Sequence, residues 1–241
     1  MRLAILIPSY KRMSVLRTTL DGLYRNTSAN EGYEVCVCVG LNKASGNEIQ
    51  MVEQYDELFE KKGILFHSIA YDNNIGKAHV LNALFKVYAH QADIVVTMDN
   101  DMVISKPWLH LIKPCLDVDF DIMGFSSSKF WAHDPIRERC LAIEQSGYTF
   151  YTPPGVAGGM MLFHREFLEQ HPWTNHGGVY GRDDAEMCLQ TFKKFVVHYP
   201  VDWLEHDPLS SSTPMLKSYE DKKKALYAAG ITVFPEGWDE A

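Results

Sequence analysis

The sequence predicts an α/β protein built on a mostly parallel, Rossmann-like sheet flanked by helices. Hydrophobic residues make up 46% of the 241 residues, which is enough to form a sizeable core. Short apolar runs alternate with segments of helical spacing through the first hundred residues, and turn residues bound each run. Strands that alternate with helices indicate a parallel sheet with right-handed crossovers.

The first half contains four predicted strands and three predicted helices. The strands are expected at residues 2–7, 34–40, 64–70 and 93–98, and the helices at residues 13–24, 47–61 and 77–90. Ligands of such sheets bind outside the carboxyl ends of the strands. The residues that directly follow each strand are therefore the first candidates for chemistry.

The second half, residues 102–241, is less regular. Its predicted helices cover residues 107–116, 183–194 and 216–229, and its predicted strands cover residues 121–126, 160–163 and 195–199. The sequence contains neither an internal repeat nor a low-complexity linker that would divide the chain. We therefore predict one domain over residues 1–241.

Charge and cysteine content exclude several classes of protein. The formal net charge of −8 argues against non-specific binding to nucleic acid or anionic lipid. The apolar run at residues 3–7 is too short for a membrane span and is stopped by Pro8, so it is interpreted as a buried strand. Five scattered cysteines are typical of reduced core residues, which predicts a cytoplasmic protein with no transmembrane segment.

The triplet Asp99-Asn100-Asp101 is the most informative motif. It follows the apolar run at residues 94–98, so both carboxylates are expected at the carboxyl end of a buried strand. Carboxylate oxygens suit a hard cation such as Mg²⁺ or Mn²⁺. The same residue types also favour turns, so a metal site and a simple turn both fit the triplet on its own.

Two further elements carry candidate residues. Asp183 and Asp184 begin a predicted helix, where acidic residues either stabilise the helix dipole or supply a carboxylate general base. His206 follows a predicted strand; a single histidine is typical of a surface or core position and suits a metal only beside the two carboxylates.

A strand-to-helix turn at residues 73–77 carries the remaining polar candidates. Gly76 permits close backbone approach, and Lys77 is placed to meet a phosphate at the start of a helix. The glycine spacing matches neither a P-loop nor a dinucleotide-binding fingerprint.

Taken in order, these motifs resemble those of nucleotide-sugar-dependent glycosyltransferases of the GT-A fold, closest to the inverting family-two group. The resemblance covers about residues 1–210, with Asp99-Asn100-Asp101 as the DxD motif. The other matching segments are residues 5–12, Asn74-x-Gly76 with Asn82, residues 158–166, Asp183-Asp184-Ala185-Glu186-Met187 and the late histidine His206.

The resemblance implies a nucleoside-diphosphate-sugar donor, with a UDP-sugar favoured, and Mn²⁺ or Mg²⁺ as the cofactor. Residues 1–101 would bind the donor, and residues 102–241 would bind the acceptor and carry the base. The implied donor-binding residues are Pro8, Ser9, Tyr10, Asn42, Asn74, Lys77, Asp99 and Asn100. The implied metal ligands are Asp99, Asp101 and His206. Asp184, next to Asp183, would take the proton of the acceptor hydroxyl, and the product anomer would be inverted.

One departure from the family pattern and two alternatives remain. The segment after the second predicted strand carries Asn42 where the family usually has an acidic pair, which leaves the base of the donor open. The Asp-x-Asp pattern also fits a phosphatase of the haloacid-dehalogenase class, although that class places its nucleophile after the first strand. A non-catalytic module that binds a sugar nucleotide or glycan is the other alternative. The acceptor is unassigned among a glycan, a lipid-linked sugar, a protein and a modified nucleic-acid base.

Overall fold

The computed structural model describes residues 1–29, 32–125, 140–145, 147–153, 155–156, 159–174, 183–197 and 203–206. The predicted helix over residues 216–229 lies outside these residues, as do Gly158 and the glycine-rich segment before Asp183. The prediction of one domain over residues 1–241 accordingly stays a prediction.

The described chain forms eleven strands and six α-helices. The strands are β1 (Arg2–Tyr10), β2 (Glu34–Asn42), β3 (Leu65–Tyr71), β4 (Ile94–Met98), β5 (Met102–Ile104), β6 (Ile122–Phe125), β7 (Ala142–Gln145), β8 (Tyr148–Tyr151), β9 (Met160–His164), β10 (Lys194–Val197) and β11 (Leu204–His206). The helices are α1 (Met13–Asn26), α2 (Gly46–Glu60), α3 (Lys77–Leu84), α4 (Leu109–Ile112), α5 (Arg165–Gln170) and α6 (Asp183–Leu189). A π-helical turn, Phe85–Ala89, continues α3, and a 3-10 helix, Lys113–Asp117, continues α4.

Nine of these strands form one sheet in the order β3-β2-β1-β4-β9-β6-β10-β8-β7. The first four strands are parallel to one another, and β6 and β10 run the same way. β9 and β8 run in the opposite direction to their neighbours. The prediction of a mostly parallel α/β sheet is confirmed. A separate two-stranded ribbon pairs β5 with β11.

The core lies on both faces of the sheet, because β1 is buried on both sides. Leu3, Ile5 and Ile7 belong to the cluster that includes buried residues of α1 and α2. Ala4 and Leu6 point to the opposite face and belong to the cluster that includes α3 and α6. Strands buried on both faces are typical of parallel sheets covered by helices, which explains the uninterrupted apolar run of β1.

Helix α3 approaches β2 closely at Gly40. A Cβ atom at this position would lie 2.1 Å from Cγ1 of Val80 and 3.3 Å from Cδ1 of Leu84. Glycine is therefore required for the observed distance between helix and sheet. This packing holds the amino end of α3, which begins at Lys77, above the carboxyl ends of the parallel strands.

The structure corrects several predicted boundaries. Helix α6 ends at Leu189 rather than at residue 194, and β10 already begins at Lys194. The reason is a turn in which the Lys193 N–H donates to Thr191 Oγ1 at 2.9 Å, while the Thr191 hydroxyl donates to Asp121 beside β6. Helix α5 and the short strands β5, β7, β8 and β11 are additional to the predicted elements.

None of the helices in the described part of the chain combines the length and the apolar character needed to cross a bilayer. All five cysteines are free thiols. Cys36 and Cys38 lie two residues apart on β2, and their sulfur atoms are 3.4 Å apart.

Candidate active site

The candidate site is formed where β1, β2 and β4 end at the same edge of the sheet. β1 lies between the other two strands, and its last residues, Ser9 and Tyr10, pair with Leu41 and Asn42 of β2. Asp99 directly follows β4 on the other side. Three segments that are distant in sequence therefore meet at the edge where ligands bind in sheets of this kind.

The Asp99-Asn100-Asp101 turn is held in place mainly through its backbone. The Asp99 N–H donates to the Gly159 carbonyl at 2.9 Å, and the Asp99 carbonyl accepts from the Met102 N–H at 3.2 Å. The Asn100 carbonyl accepts from the Thr19 hydroxyl of α1 at 2.8 Å. Hydrogen bonds to the main chain of the turn thus fix the backbone positions from which the Asp99 and Asp101 side chains project.

Asn100 also joins the turn to β1. Its side-chain amide donates to the hydroxyl of Ser9 at 3.0 Å. Ser9 is only 3% exposed, so its hydroxyl cannot bond to bulk water. The hydrogen bond from Asn100 replaces the hydrogen bond to water that the hydroxyl loses on burial. The two predicted donor-binding residues are therefore in direct contact with each other.

Each aspartate of the motif lies beside a basic side chain. Lys77 Nζ is 2.8 Å from Oδ1 of Asp99. Arg12 Nη1 is 3.4 Å from Oδ2 of Asp101. The site thus combines two carboxylates with two cations, which suits a ligand that carries both negative charge and a bound metal ion.

A second polar turn, residues 72–76, directly precedes Lys77, which lies beside Asp99. Asn42, which is 4% exposed at the end of β2, accepts from the Ile75 N–H at 3.0 Å. Asn74 accepts from the Gly76 N–H at 3.1 Å, and Gly76 has a φ of 88° that disfavours any residue with a side chain. Asn42 therefore anchors the turn that begins α3 and positions Lys77.

Three non-glycine residues at this edge adopt the left-handed conformation. Lys11 and Arg12 follow β1 with φ of 55° and 66°, and Lys43 follows β2 with φ of 52°. Such a conformation costs roughly 1–2 kcal/mol per residue, so it persists only where the surrounding structure imposes it. The ion pair of Arg12 with Asp101 is a site contact that sequence reasoning missed, although the cluster Lys11-Arg12 after a buried strand was its available signal.

His206 reaches the site through the ribbon of β5 and β11. It pairs with Met102, the residue that directly follows Asp101. The ribbon is fixed at its other end by a bond from the Ser105 N–H to the Trp203 carbonyl at 2.8 Å, and Trp203 stacks on Trp108 with ring centres 5.6 Å apart. The side chain of His206 lies outside the described atoms, so its role as a metal ligand stays a prediction.

The predicted base lies on α6, whose buried residues belong to the same core cluster as those of α3. Met187 and Cys188 of this helix are buried, and Cys188 Sγ accepts from the Val156 N–H at 3.1 Å. Glu186 accepts a hydrogen bond from the Thr174 hydroxyl. Asp184 is half-buried one turn before Cys188, whereas the side chain of Asp183 is outside the described atoms. Burial raises the pKa of the Cys188 thiol, and the nearby Asp184 carboxylate raises it further.

The residues that directly follow α5 are tied to α3. The side-chain amide of Asn82 donates to the Trp173 carbonyl at 2.6 Å and accepts from the Trp173 N–H at 3.1 Å. Trp173 is buried against Phe85 and Phe163. Asn82 therefore connects α3, which begins at Lys77, with the residues that follow α5.

The chemistry of the two described carboxylates fits a divalent cation. The side chains of Asp99 and Asp101 are 33% and 20% exposed, so a cation from solution has access to their hard oxygen ligands. Within the described side chains, however, no group of three or more His, Cys, Asp and Glu residues is arranged to hold a metal ion. Completing the predicted set therefore depends on His206.

Comparisons with known proteins agree with this architecture. The sequence model of "Glycosyl transferase family 2" matches residues 4–171, which include most of β1, all of β2 to β4 and the Asp-Asn-Asp turn. No functionally curated protein is matched in sequence.

Solved structures share the fold at low sequence identity. A mannosyltransferase from Pyrobaculum calidifontis, in complex with GDP-Man and Mn²⁺, is 16% identical with a TM-score of 0.58, over 83% of this chain and 57% of that one. TarS 1-349 from S. aureus is 12% identical with a TM-score of 0.62, over 94% and 64% of the two chains. GalNAc-T7 with UDP, GalNAc and Mn²⁺ is 13% identical with a TM-score of 0.64, over 85% and 43%.

This chain therefore spans 43–64% of the length of these structures. The shared fold is the GT-A fold, as the resemblance of the motifs implied. The polar edge described above lies within residues 4–171, which the family model matches. The chain belongs to glycosyl transferase family 2.

Proposed function

We propose that this protein transfers a sugar from a nucleoside-diphosphate sugar to a hydroxyl group of an acceptor, with a divalent cation as cofactor. The observation that carries the proposal is the pairing of Asp99 with Lys77 and of Asp101 with Arg12 at one edge of the sheet. Carboxylates hold a hard cation, and basic side chains hold phosphate oxygens. Both are needed for a metal-bound diphosphate, and membership of glycosyl transferase family 2 supports this assignment.

The nucleoside is proposed to bind at the ends of β1 and β2. Pro8, Ser9, Tyr10 and Asn42 would form its pocket, and Asn74 and Lys77 would lie beside the phosphates. The buried bonds of Ser9 and Asn42 support this proposal indirectly, because they make the pocket floor rigid before a ligand binds. A UDP-sugar is the proposed donor; GalNAc-T7 is described with UDP, and TarS 1-349 with UDP-GlcNAc.

The cation is proposed to be Mn²⁺ or Mg²⁺, held by Asp99, Asp101 and His206. When bound, it would neutralise the charge that develops on the departing nucleoside diphosphate. Asp99 and Asp101 are presented by a turn that is fixed through its backbone, so both carboxylates start from the same end of β4. The mannosyltransferase and GalNAc-T7 structures contain Mn²⁺, which supports a metal in this protein as well.

Asp184 is proposed as the general base. Its carboxylate would take the proton of the acceptor hydroxyl while the hydroxyl oxygen forms a bond to the anomeric carbon of the sugar. The bond between that carbon and the diphosphate oxygen breaks on the opposite face, so the anomer is inverted. A positioned base of this kind typically contributes about 10²–10⁴ in rate. The buried residues of α6 support the role by fixing the helix that carries Asp184.

The acceptor site is proposed to lie in residues 102–241, and the acceptor is proposed to be a glycan, a protein or a modified nucleic-acid base.

The five free thiols support the proposed cytoplasmic location, because reduced cysteines are typical of that compartment.

A donor panel tests the proposed function. The purified chain is mixed with nucleotide sugars in Mn²⁺ or in EDTA, and thermal unfolding is followed. At a donor concentration of about 100 Kd we expect a Tm increase of about 5–10 °C in Mn²⁺ and none in EDTA. Slow release of nucleoside diphosphate from the same donor would distinguish an enzyme from a non-catalytic binder.

Two outcomes would contradict the proposal. Equal stabilisation in EDTA and in Mn²⁺ would remove the metal from it. Release of phosphate from an aryl phosphate, without binding of any nucleotide sugar, would favour the haloacid-dehalogenase alternative. In the same donor panel, Asp101→Asn is the variant matched to the wild type. It removes one carboxylate charge from the proposed metal site and keeps the shape of the side chain.

A further inference from the structure

Arg12 occupies a position that its local surroundings do not explain. It is the N-cap residue of α1, but its side chain makes no capping bond, and polar residues such as Ser, Thr, Asp or Asn are preferred there. Its backbone is left-handed, with φ of 66° and ψ of 46°. The conformation turns the chain sharply after β1 and brings the guanidinium to Asp101, which is 89 residues away in sequence.

The contact of Arg12 with Asp101 is suited to exchange. Only one nitrogen of the guanidinium takes part, at 3.4 Å, and the two side chains are 35% and 20% exposed. A single long contact of this kind is weak, whereas Arg binds phosphate oxygens strongly through two parallel hydrogen bonds. In the neighbouring ion pair, by contrast, Lys77 Nζ lies 2.8 Å from Oδ1 of Asp99, so Arg12 makes the longer of the two contacts.

We propose that Arg12 makes the binding of the metal ion and the binding of the donor depend on each other. In the metal-free protein, Arg12 neutralises Asp101 and so competes with a divalent cation for that carboxylate. Once a cation binds Asp101, Arg12 is repelled from it and binds the donor diphosphate instead. This inference rests on the proposed function and adds to it a residue that sets the order and strength of binding.

Charge balance supports the exchange. Each carboxylate of the motif is already paired with one basic side chain, and Lys11 and Lys43 add positive charge at the same edge, so a divalent cation alone would leave an excess of positive charge around Arg12. A diphosphate brings negative charge that offsets this excess. Coupling between two ligands is reciprocal, so the same residue must tighten the metal in the presence of the nucleotide.

The test compares Arg12→Asn with the wild type by titration calorimetry, first with Mn²⁺ alone and then with UDP or GDP, whichever the wild type binds more tightly, in saturating Mn²⁺. Asn tolerates the left-handed conformation and is a favoured N-cap residue, so the variant is expected to fold. We expect Mn²⁺ alone to bind about three- to fivefold more tightly, because one partly exposed positive charge has been removed. The nucleotide should bind at least about tenfold more weakly, because a charge-assisted hydrogen bond is lost.

Two further variants sharpen the result. Arg2→Asn removes the same charge from the opposite end of β1, where Arg2 pairs with Glu34 on an exposed surface, and should change neither affinity. Arg12→Lys keeps the charge and should recover most of the nucleotide affinity. Unchanged Mn²⁺ affinity in Arg12→Asn would overturn the inference, as would equal weakening of both ligands. If the wild type binds neither Mn²⁺ nor a nucleoside diphosphate, the proposed function itself fails; if it binds both and Arg12→Asn matches it, only the inference fails.

Discussion

His206 lies opposite Met102 in the antiparallel ribbon of β5 and β11. Because Met102 directly follows the Asp99-Asn100-Asp101 turn, this pairing brings the backbone of a late histidine next to the two candidate metal ligands. A three-residue strand at the end of the described chain thereby connects the second half of the sequence to the motif of the first half.

The first prediction follows from this pairing. His206→Ala should weaken binding of Mn²⁺ at least about tenfold, because the predicted site loses one of its three protein ligands. Titration calorimetry with Mn²⁺ alone provides the measurement. His110→Ala is the control, since His110 is exposed on α4. Equal affinity in the two variants would remove His206 from the site.

The second prediction concerns the base. Asp184→Asn should lower the rate of sugar transfer at least about a hundredfold, because the amide keeps the shape of the side chain but cannot accept the proton. Donor and Mn²⁺ affinity should be retained. Adjacent residues on a helix diverge by about 100°, so Asp183→Asn should reduce the rate much less. A transfer rate near that of the wild type in Asp184→Asn would show that another group is the base.

The third prediction tests the anchoring role of Asn42. Asn42→Ala should lower Tm by about 2–10 °C, because the Ile75 N–H loses the acceptor that the buried Asn42 side chain supplies. Asn42→Asp retains an acceptor oxygen but buries a carboxylate, so its Tm should lie between those of Asn42→Ala and the wild type. Thermal unfolding of the ligand-free protein measures both. If Asn42→Ala is as stable as Asn42→Asp, the bond to Ile75 does not hold the turn.

The fourth prediction concerns the close packing of α3 on β2. Gly40→Ala should destabilise the fold by about 1–3 kcal/mol, because the new methyl group overlaps Cγ1 of Val80. The same substitution in a Val80→Ala background should cost less, since the overlapping atom has been removed. Denaturant unfolding of the two single variants and the double variant gives the coupling energy. Strictly additive losses would show that Val80 is not the obstacle.

The strands and helices of the first half were predictable because each depends on local sequence. β1 and β4 are buried on both faces and appear as continuous apolar runs, and β2 and β3 end at turn residues. A stronger signal was also present at α2, where Ser45 and Glu48 form a capping box that marks the start of the helix.

Other features depend on contacts between distant residues, and no local pattern contains them. The end of α6 is set by Thr191, which bonds to Asp121 from 70 residues away. The ribbon of β5 and β11 consists of two three-residue strands, too short to produce a periodic pattern. The contact of Arg12 with Asp101 requires a left-handed arginine, a conformation that sequence rules assign to Gly, Asn or Asp.

The reversed direction of β9 gives the turn at Asp99 a support that consists of main chain. Because β9 runs against β4, the chain enters the sheet beside Asp99, and it holds the Asp99 N–H by the main-chain carbonyl of Gly159 rather than by a side chain. A support made of backbone does not depend on the identity of the neighbouring side chains. Side-chain substitutions that leave this main chain in place can therefore be accepted around the turn while Asp99 and Asp101 are still presented in the same way. The position of the two carboxylates is thereby uncoupled from the identity of the side chains around them.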